Sequence, residues 1–205
     1  MRAAARRFFS SPVSFLLLVA VLATPLLRSL RAERPVPPVL LELPEFRLTS
    51  ERGGPFGRAD LLGRAWVADF VFLACPSVCP RLTSRMKALQ EKLESLGDRV
   101  RLVTFTVDPE NDTPEKLAEY ARAHGANPEI WTFLTGPSSD VEKTVVGGFK
   151  IAMGKEPTGE KGEILQIFHG EQFVLVDQAG NIRGYYRSDD QGQADLVRDI
   201  KLIMR

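Results

Sequence analysis

Trp66-Val-Ala-Asp-Phe-Val-Phe-Leu73 is mostly apolar on both of its alternating faces, and it leads straight into Ala74-Cys-Pro-Ser-Val-Cys-Pro80. A strand that is hydrophobic on both sides belongs in the centre of a sheet covered on both faces. Past the cysteines, Val78, Leu82, Met86, Leu89, Leu93 and Leu96 recur at spacings of three and four, an amphipathic helix that Gly97 stops. The two cysteines therefore fall where a central strand hands over to the first long helix.

Outward from that junction the pattern repeats. Val100 to Val107 reads as the next strand, ended by Asp108-Pro109. Thr113 as N-cap, with Pro114 at the first helical position, opens a second helix that ends at His124-Gly125. Trp131 to Leu134 is a short strand and Ser139 to Val146 a helix. Phe173 to Asp177 and Ile182 to Tyr186 form a hairpin around Gln178-Ala-Gly-Asn181, and Gln191 to Met204 is a final helix. On the N-terminal side, Glu45 to Thr49 and Gly53-Gly-Pro-Phe56 read as a strand and turn. Alternating strands and helices mean an α/β fold with parallel pairing, to which the terminal hairpin adds an antiparallel edge. The order is that of the thioredoxin fold: a central mixed sheet flanked by helices, with an N-terminal strand/turn extension. Lys150 to Lys161, with glycines and Pro157 among mixed charges, reads as a loop inserted before the last hairpin.

The chain has 205 residues, 44% hydrophobic and 26% charged, so one packed domain with an appendage is expected and wholesale disorder is excluded. Lys and Arg number 27 against 26 Asp and Glu, which argues against a nucleic-acid-binding face. The charge is uneven: residues 1–34 hold six Arg against Glu33 alone. Within this head, residues 8–27 are uncharged and long enough, at about 1.5 Å per residue, to cross a bilayer. An uncleaved anchor is favoured over a signal peptide, because no A-x-A cleavage pattern follows the apolar core. Residues 35–42, with Pro35, Pro37 and Pro38, read as an extended stalk. The domain is then expected over 43–205.

Cys75 and Cys79 are the only cysteines. Four-residue spacing at a helix start puts both sulfurs on one side of the first turn, where the helix dipole is expected to lower thiol pKa. A structural disulfide across so short a loop would add only about 2 kcal/mol, so metal ligation or disulfide exchange is the stronger reading. Two thiolates suit a soft ion such as Cu(I), and a neutral imidazole completes three-coordination. Of the two histidines, His124 is accounted for at a helix C-terminus. His169, in Ile167-Phe-His-Gly-Glu171 directly before the Phe173 strand, has no capping role and is the candidate third ligand. Met86 and both tryptophans read as core.

Trp66-x3-Phe70-x-Phe72-x2-Cys-Pro-x2-Cys-Pro80, Thr106-Val-Asp-Pro-Glu-x-Asp-Thr-Pro114, His169-x3-Phe-Val-Leu-Val-Asp177 and Ile182-Arg-Gly-Tyr-Tyr186 together resemble the Sco/SenC proteins. The resemblance covers residues 43 to 205 and implies a membrane-tethered, thioredoxin-like metallochaperone rather than an enzyme. It implies binding of Cu(I) and Cu(II) and assistance to assembly of the binuclear copper centre of cytochrome c oxidase. Cys75, Cys79 and His169 match the family's copper ligands. Asp108 matches a family acid near the site, supporting it or docking a partner. Ala74 departs from the polar or basic residue that many relatives carry there. The implied partners are the copper-bearing oxidase subunit and a copper donor or thiol reductant. The implied location is the inner membrane, with the domain on the periplasmic side, or the mitochondrial inner membrane in a eukaryote. A rival reading is a membrane-tethered thiol–disulfide oxidoreductase acting on a partner's cysteines. Against a general one stand the Cys-x3-Cys spacing and His169-Gly170 where thioredoxins place proline. A peroxiredoxin-type peroxidase fits less well, since it needs one activated cysteine with a nearby threonine and arginine.

Overall fold

The computed structural model describes Val19, Val21, residues 35–75 and 78–152, the backbone of 155–156 and 166–167, and residues 172–204. The chain divides between Pro35 and Val36 into two units, and the second, Val36–Arg205, is the one considered below. The basic head and the anchor expected at 8–27 lie outside the described residues, apart from Val19 and Val21. Among the described residues no helix is long and apolar enough to cross a membrane.

The strands are β1 (Leu41–Glu42), β2 (Arg47–Ser50), β3 (Pro55–Gly57), β4 (Ala65–Val71), β5 (Val100–Thr106), β6 (Trp131–Thr135), β7 (Lys155–Glu156), β8 (Gln166–Ile167), β9 (Gln172–Val176) and β10 (Asn181–Arg187). The helices are α1 (Val78–Leu93), α2 (Pro114–Ala123), α3 (Ser138–Glu142) and α4 (Asp190–Ile203). One sheet runs β1-β10-β9-β4-β5-β6-β2-β3, while β7 and β8 pair separately. All seven residues of β4 are buried, as its two-sided hydrophobicity predicts. It pairs in parallel with β5, which pairs in parallel with β6. The fold is the α/β, thioredoxin-like arrangement that the alternation of elements implies.

The one departure from the sequence pattern lies at the β10 edge of the sheet, ahead of β1. The terminal hairpin adds the expected antiparallel pairing, with β9 against β4, β10 outside it, and the two-residue β1 beyond β10. Phe173, Val174, Leu175 and Val176 of β9 are all fully buried, as an inner strand requires, while most of β10 is half-buried. The segment expected to be a free stalk is docked from Pro37 onward. Pro37 is buried, its carbonyl accepts from Arg183 Nε at 2.9 Å and also from Nη2, and Leu40 N–H donates to the Ile182 carbonyl at 2.9 Å. Arg183 is braced in turn by Asp177 at 2.8 Å. An open β10 edge and an arginine fork offer the prolines partners that polyproline geometry leaves unmet.

Side chains alternate across β4, so the two faces of the sheet differ in chemistry. One face carries an aromatic cluster. Phe70 stacks on Phe105 at 5.7 Å, and Phe149 meets each edge-on at 5.1 Å. Trp66 joins Phe149 at 5.9 Å. The other face carries Asp69 and Thr104, with Trp131 donating through Nε1 to Thr104 Oγ1 at 2.8 Å. Both tryptophans and Met86 are core residues, as expected.

Candidate metal centre

β4 delivers the chain to Phe72-Leu-Ala-Cys75, and Cys79 lies in the first turn of α1. Both cysteines are buried, Cys79 almost completely at 1% exposure. The backbone holds the sulfurs directly. Cys79 N–H donates to Cys75 Sγ at 3.3 Å, and Phe72 N–H donates to Cys79 Sγ at 3.5 Å. Cys75 N–H returns to the Phe72 carbonyl at 3.2 Å, closing the turn. Each sulfur thus receives an amide hydrogen, an arrangement that stabilises developing negative charge.

The expected lowering of thiol pKa does not hold for Cys79 in the metal-free protein. Burial pushes its pKa up strongly, and the Phe72 amide opposes this only in part; Cys75 and the charge of Asp69 add to the rise. A helix N-terminus contributes about 0.3–1 kcal/mol toward the thiolate, whereas full burial can move a pKa by 3–5 units. Desolvation therefore wins, and a metal ion that replaces the proton is the natural route to a charged sulfur here.

Two acids that the sequence reading passed over surround the pair. Asp69 is wholly buried, accepts from Thr104 Oγ1 at 2.6 Å, and leaves Oδ2 without a hydrogen-bond partner among the described residues. Burial lifts its pKa to about 7. A lone acid inside an apolar strand was the available signal. Asp112, 2% exposed, accepts from Thr106 Oγ1 at 2.5 Å and from Leu73 N–H at 3.2 Å. It precedes the N-cap Thr113, whose hydroxyl accepts from Lys116 N–H, so adjacent residues serve the cysteine loop and α2. Tyr120 approaches from α2: its hydroxyl hydrogen-bonds Thr83 at 2.8 Å, and burial raises its pKa to about 12.

Asp108 lies in the turn after β5. It is 6% exposed, its N–H donates to Thr106 Oγ1 at 3.0 Å, and its carboxylate accepts from Asn111 at 2.9 Å. His124 ends α2, with Nδ1 hydrogen-bonded to the Tyr120 carbonyl at 2.9 Å and its ring 4.0 Å from that of Tyr120. It is not brought to the cysteines by any contact of the described residues. Ala74 is exposed. His169 lies outside the described residues. The next strand in the chain, β9, begins at Gln172 and runs antiparallel to β4, so it starts at the sheet end where β4 releases the cysteine loop. Among the described residues, no group of three His, Cys, Asp or Glu is arranged to hold a metal, so the two sulfurs stand alone as described donors. The docked proline segment joins the opposite pole, through Leu41 opposite Ile182 and Val176 opposite Trp66. The length of β4 separates these poles by roughly 20 Å.

The comparisons agree with this architecture. A profile of the SCO1/SenC family matches residues 40–205. The SCO1 protein homolog of Bacillus subtilis is 34% identical over 166 residues, covering 80% of this chain and 83% of its own. A SCO1/SenC family lipoprotein from Bacillus anthracis has a crystal structure that superposes with a TM-score of 0.73 at 34% identity, covering 82% of this chain and 98% of that one. BsSco, a member of the Sco family of cytochrome c oxidase assembly proteins in which a disulfide switch was identified, gives 0.68 at 32% identity over 83% and 96%. Sco proteins solved with copper bound share the fold at lower identity. The matched span takes in both cysteines, the Asp108–Asp112 turn and His169, and on that match the chain belongs to the SCO1/SenC family.

Proposed function

We propose that this protein is a copper metallochaperone that assists assembly of the binuclear copper centre of cytochrome c oxidase, holding its cargo through Cys75, Cys79 and His169. The observation that carries the reading is the pair of buried thiols whose sulfurs each accept a backbone amide at the junction of β4 and α1. Soft sulfur donors in a water-poor pocket select Cu(I) over harder ions, and an imidazole supplies a third donor without adding charge. The start of β9 at the same sheet end supports His169 in that role, since it precedes Gln172 by three residues. Relatives solved with copper bound, and one described among oxidase assembly proteins, support the cargo and the pathway. The burial of Asp108 favours a role inside the site over docking of a partner.

A place at the membrane belongs to the same proposal: residues 8–27 anchor the chain, with the domain on the periplasmic side of the inner membrane. The lipoprotein relative supports tethering in general.

Copper titration of the reduced protein, with metal and thiols counted together, tests the reading. One copper per chain is expected, with loss of stable binding in Cys75→Ser and in Cys79→Ser. His169→Ala is expected to weaken binding of both oxidation states. Wild-type affinity in His169→Ala would remove it from the ligand set, and wild-type binding in either serine variant would refute the site.

A further inference from the structure

We propose that Asp112 is a positioning residue for the cysteine pair: its carboxylate fixes the Leu73 amide and thereby holds the neighbouring Phe72 amide against Cys79 Sγ. β4 and β5 form a parallel ladder along their full length. Their pairing extends one rung past the strands, where Val107 N–H donates to the Val71 carbonyl at 2.9 Å. In a continuing ladder the next rung would take Leu73 N–H to a β5 carbonyl. The chain turns away at Asp108-Pro109 instead, and the side chain of Asp112 supplies the missing acceptor at 3.2 Å.

That substitution has a consequence one residue back. Phe72 and Leu73 present consecutive amides: the first donates to Cys79 Sγ at 3.5 Å and the second to Asp112 Oδ2. Both belong to the same short link between β4 and Cys75, so anchoring one restricts the other. Asp112 is held in place by the Thr106 hydroxyl at 2.5 Å and by its own N–H on the Asp108 carbonyl at 3.0 Å. At 2% exposure, water cannot replace it as acceptor for Leu73. Hydrogen bonds to a ligating atom tune both its donor strength and the metal it holds, so the turn after β5 acts on the sulfur through two backbone amides.

The inference rests on the copper reading for its principal test and has a metal-free test of its own. Asp112→Ala in the full-length protein, kept in detergent, is expected to weaken Cu(I) binding roughly 10–100-fold in a chelator competition. It should also move the sulfur-to-Cu(II) charge-transfer band to longer wavelength, because a sulfur with a weaker N–H bond gives up its electron more readily. Asp112→Asn keeps an acceptor oxygen and is expected to stay within about twofold of wild type and to hold the band. Asp199→Ala removes another buried carboxylate, one bonded to Tyr186 and not to the cysteine loop; it should lower thermal stability and leave both copper readouts in place. In the metal-free protein Cys79 is 1% exposed, so its alkylation is limited by opening of the link between β4 and Cys75, and it should be faster in Asp112→Ala and unchanged in Asp112→Asn. Where the alanine variant does not fold, Thr106→Val, which removes the hydroxyl orienting Asp112, carries the same expectations in milder form. Wild-type behaviour of Asp112→Ala, or equal impairment in Asp112→Asn, overturns the proposal. A wild-type protein that binds no copper refutes the metallochaperone reading instead, and the alkylation rates then decide the positioning claim alone.

Discussion

Asp69→Asn should make the folded protein more stable at neutral pH and remove a pH dependence that the wild type carries. Asp69 is fully buried in β4, and burial lifts its pKa from the ordinary 3.8 to about 7, against the lowering effect of the Thr104 hydroxyl. Folding thus raises the pKa of an acid. The unfolded chain gives up this proton near pH 4 while the native chain keeps it until about pH 7, so unfolding releases a proton throughout that window. The contribution is fully present below the unfolded pKa and is lost as pH rises through the folded one. At about 1.4 kcal/mol for each pH unit, the loss is about 4 kcal/mol. Asparagine keeps an acceptor for Thr104 and cannot ionise. Urea unfolding of both proteins, reduced and metal-free, at intervals from about pH 4 to about pH 8 measures the effect. Asp112, raised by burial, and Asp177, held low by the Asn181 amide and by Arg183 despite its desolvation, occur in both proteins and cancel in the difference. The stability of the variant relative to wild type should climb by about 4 kcal/mol between about pH 4 and about pH 7 and flatten above that. A difference that does not change with pH would refute the reasoning.

Three further outcomes follow from the contacts described. His124→Ala should leave copper stoichiometry and affinity unchanged, since its ring is engaged with Tyr120; any loss on copper titration would reopen its role. Arg183→Ala removes the donors to the Pro37 carbonyl and the brace to Asp177; it should cost about 1–3 kcal/mol in urea unfolding and speed proteolysis within residues 36–42. Unaltered cleavage would mean that the β1 pairing alone secures the segment. Mass spectrometry of the mature chain should find residues 8–27 still attached, and a protein starting near Thr24 would refute the anchor.

Much of the architecture was legible in local pattern. Two-sided hydrophobicity marked β4 as a central strand, the Thr113-Pro114 cap fixed the start of α2, and the spacing of Cys75 and Cys79 placed them at one strand–helix junction. These features depend on neighbours a few residues apart, where backbone geometry leaves few alternatives. Tertiary structure decided the rest. Proline content suggested a free stalk, but the open edge of β10 and Arg183, some 146 residues away in sequence, captured Pro37. A helix N-terminus suggested an acidic thiol, but packing of the sheet and α1 around Cys79 removed water, and desolvation outweighs a half-charge at a helix end. Asp69 and Asp112 appear in the sequence as two acids among many. Only the fold buries one in the sheet within electrostatic reach of Cys79 and turns the other onto the cysteine loop, because burial and long-range hydrogen bonds are properties of what the chain brings together.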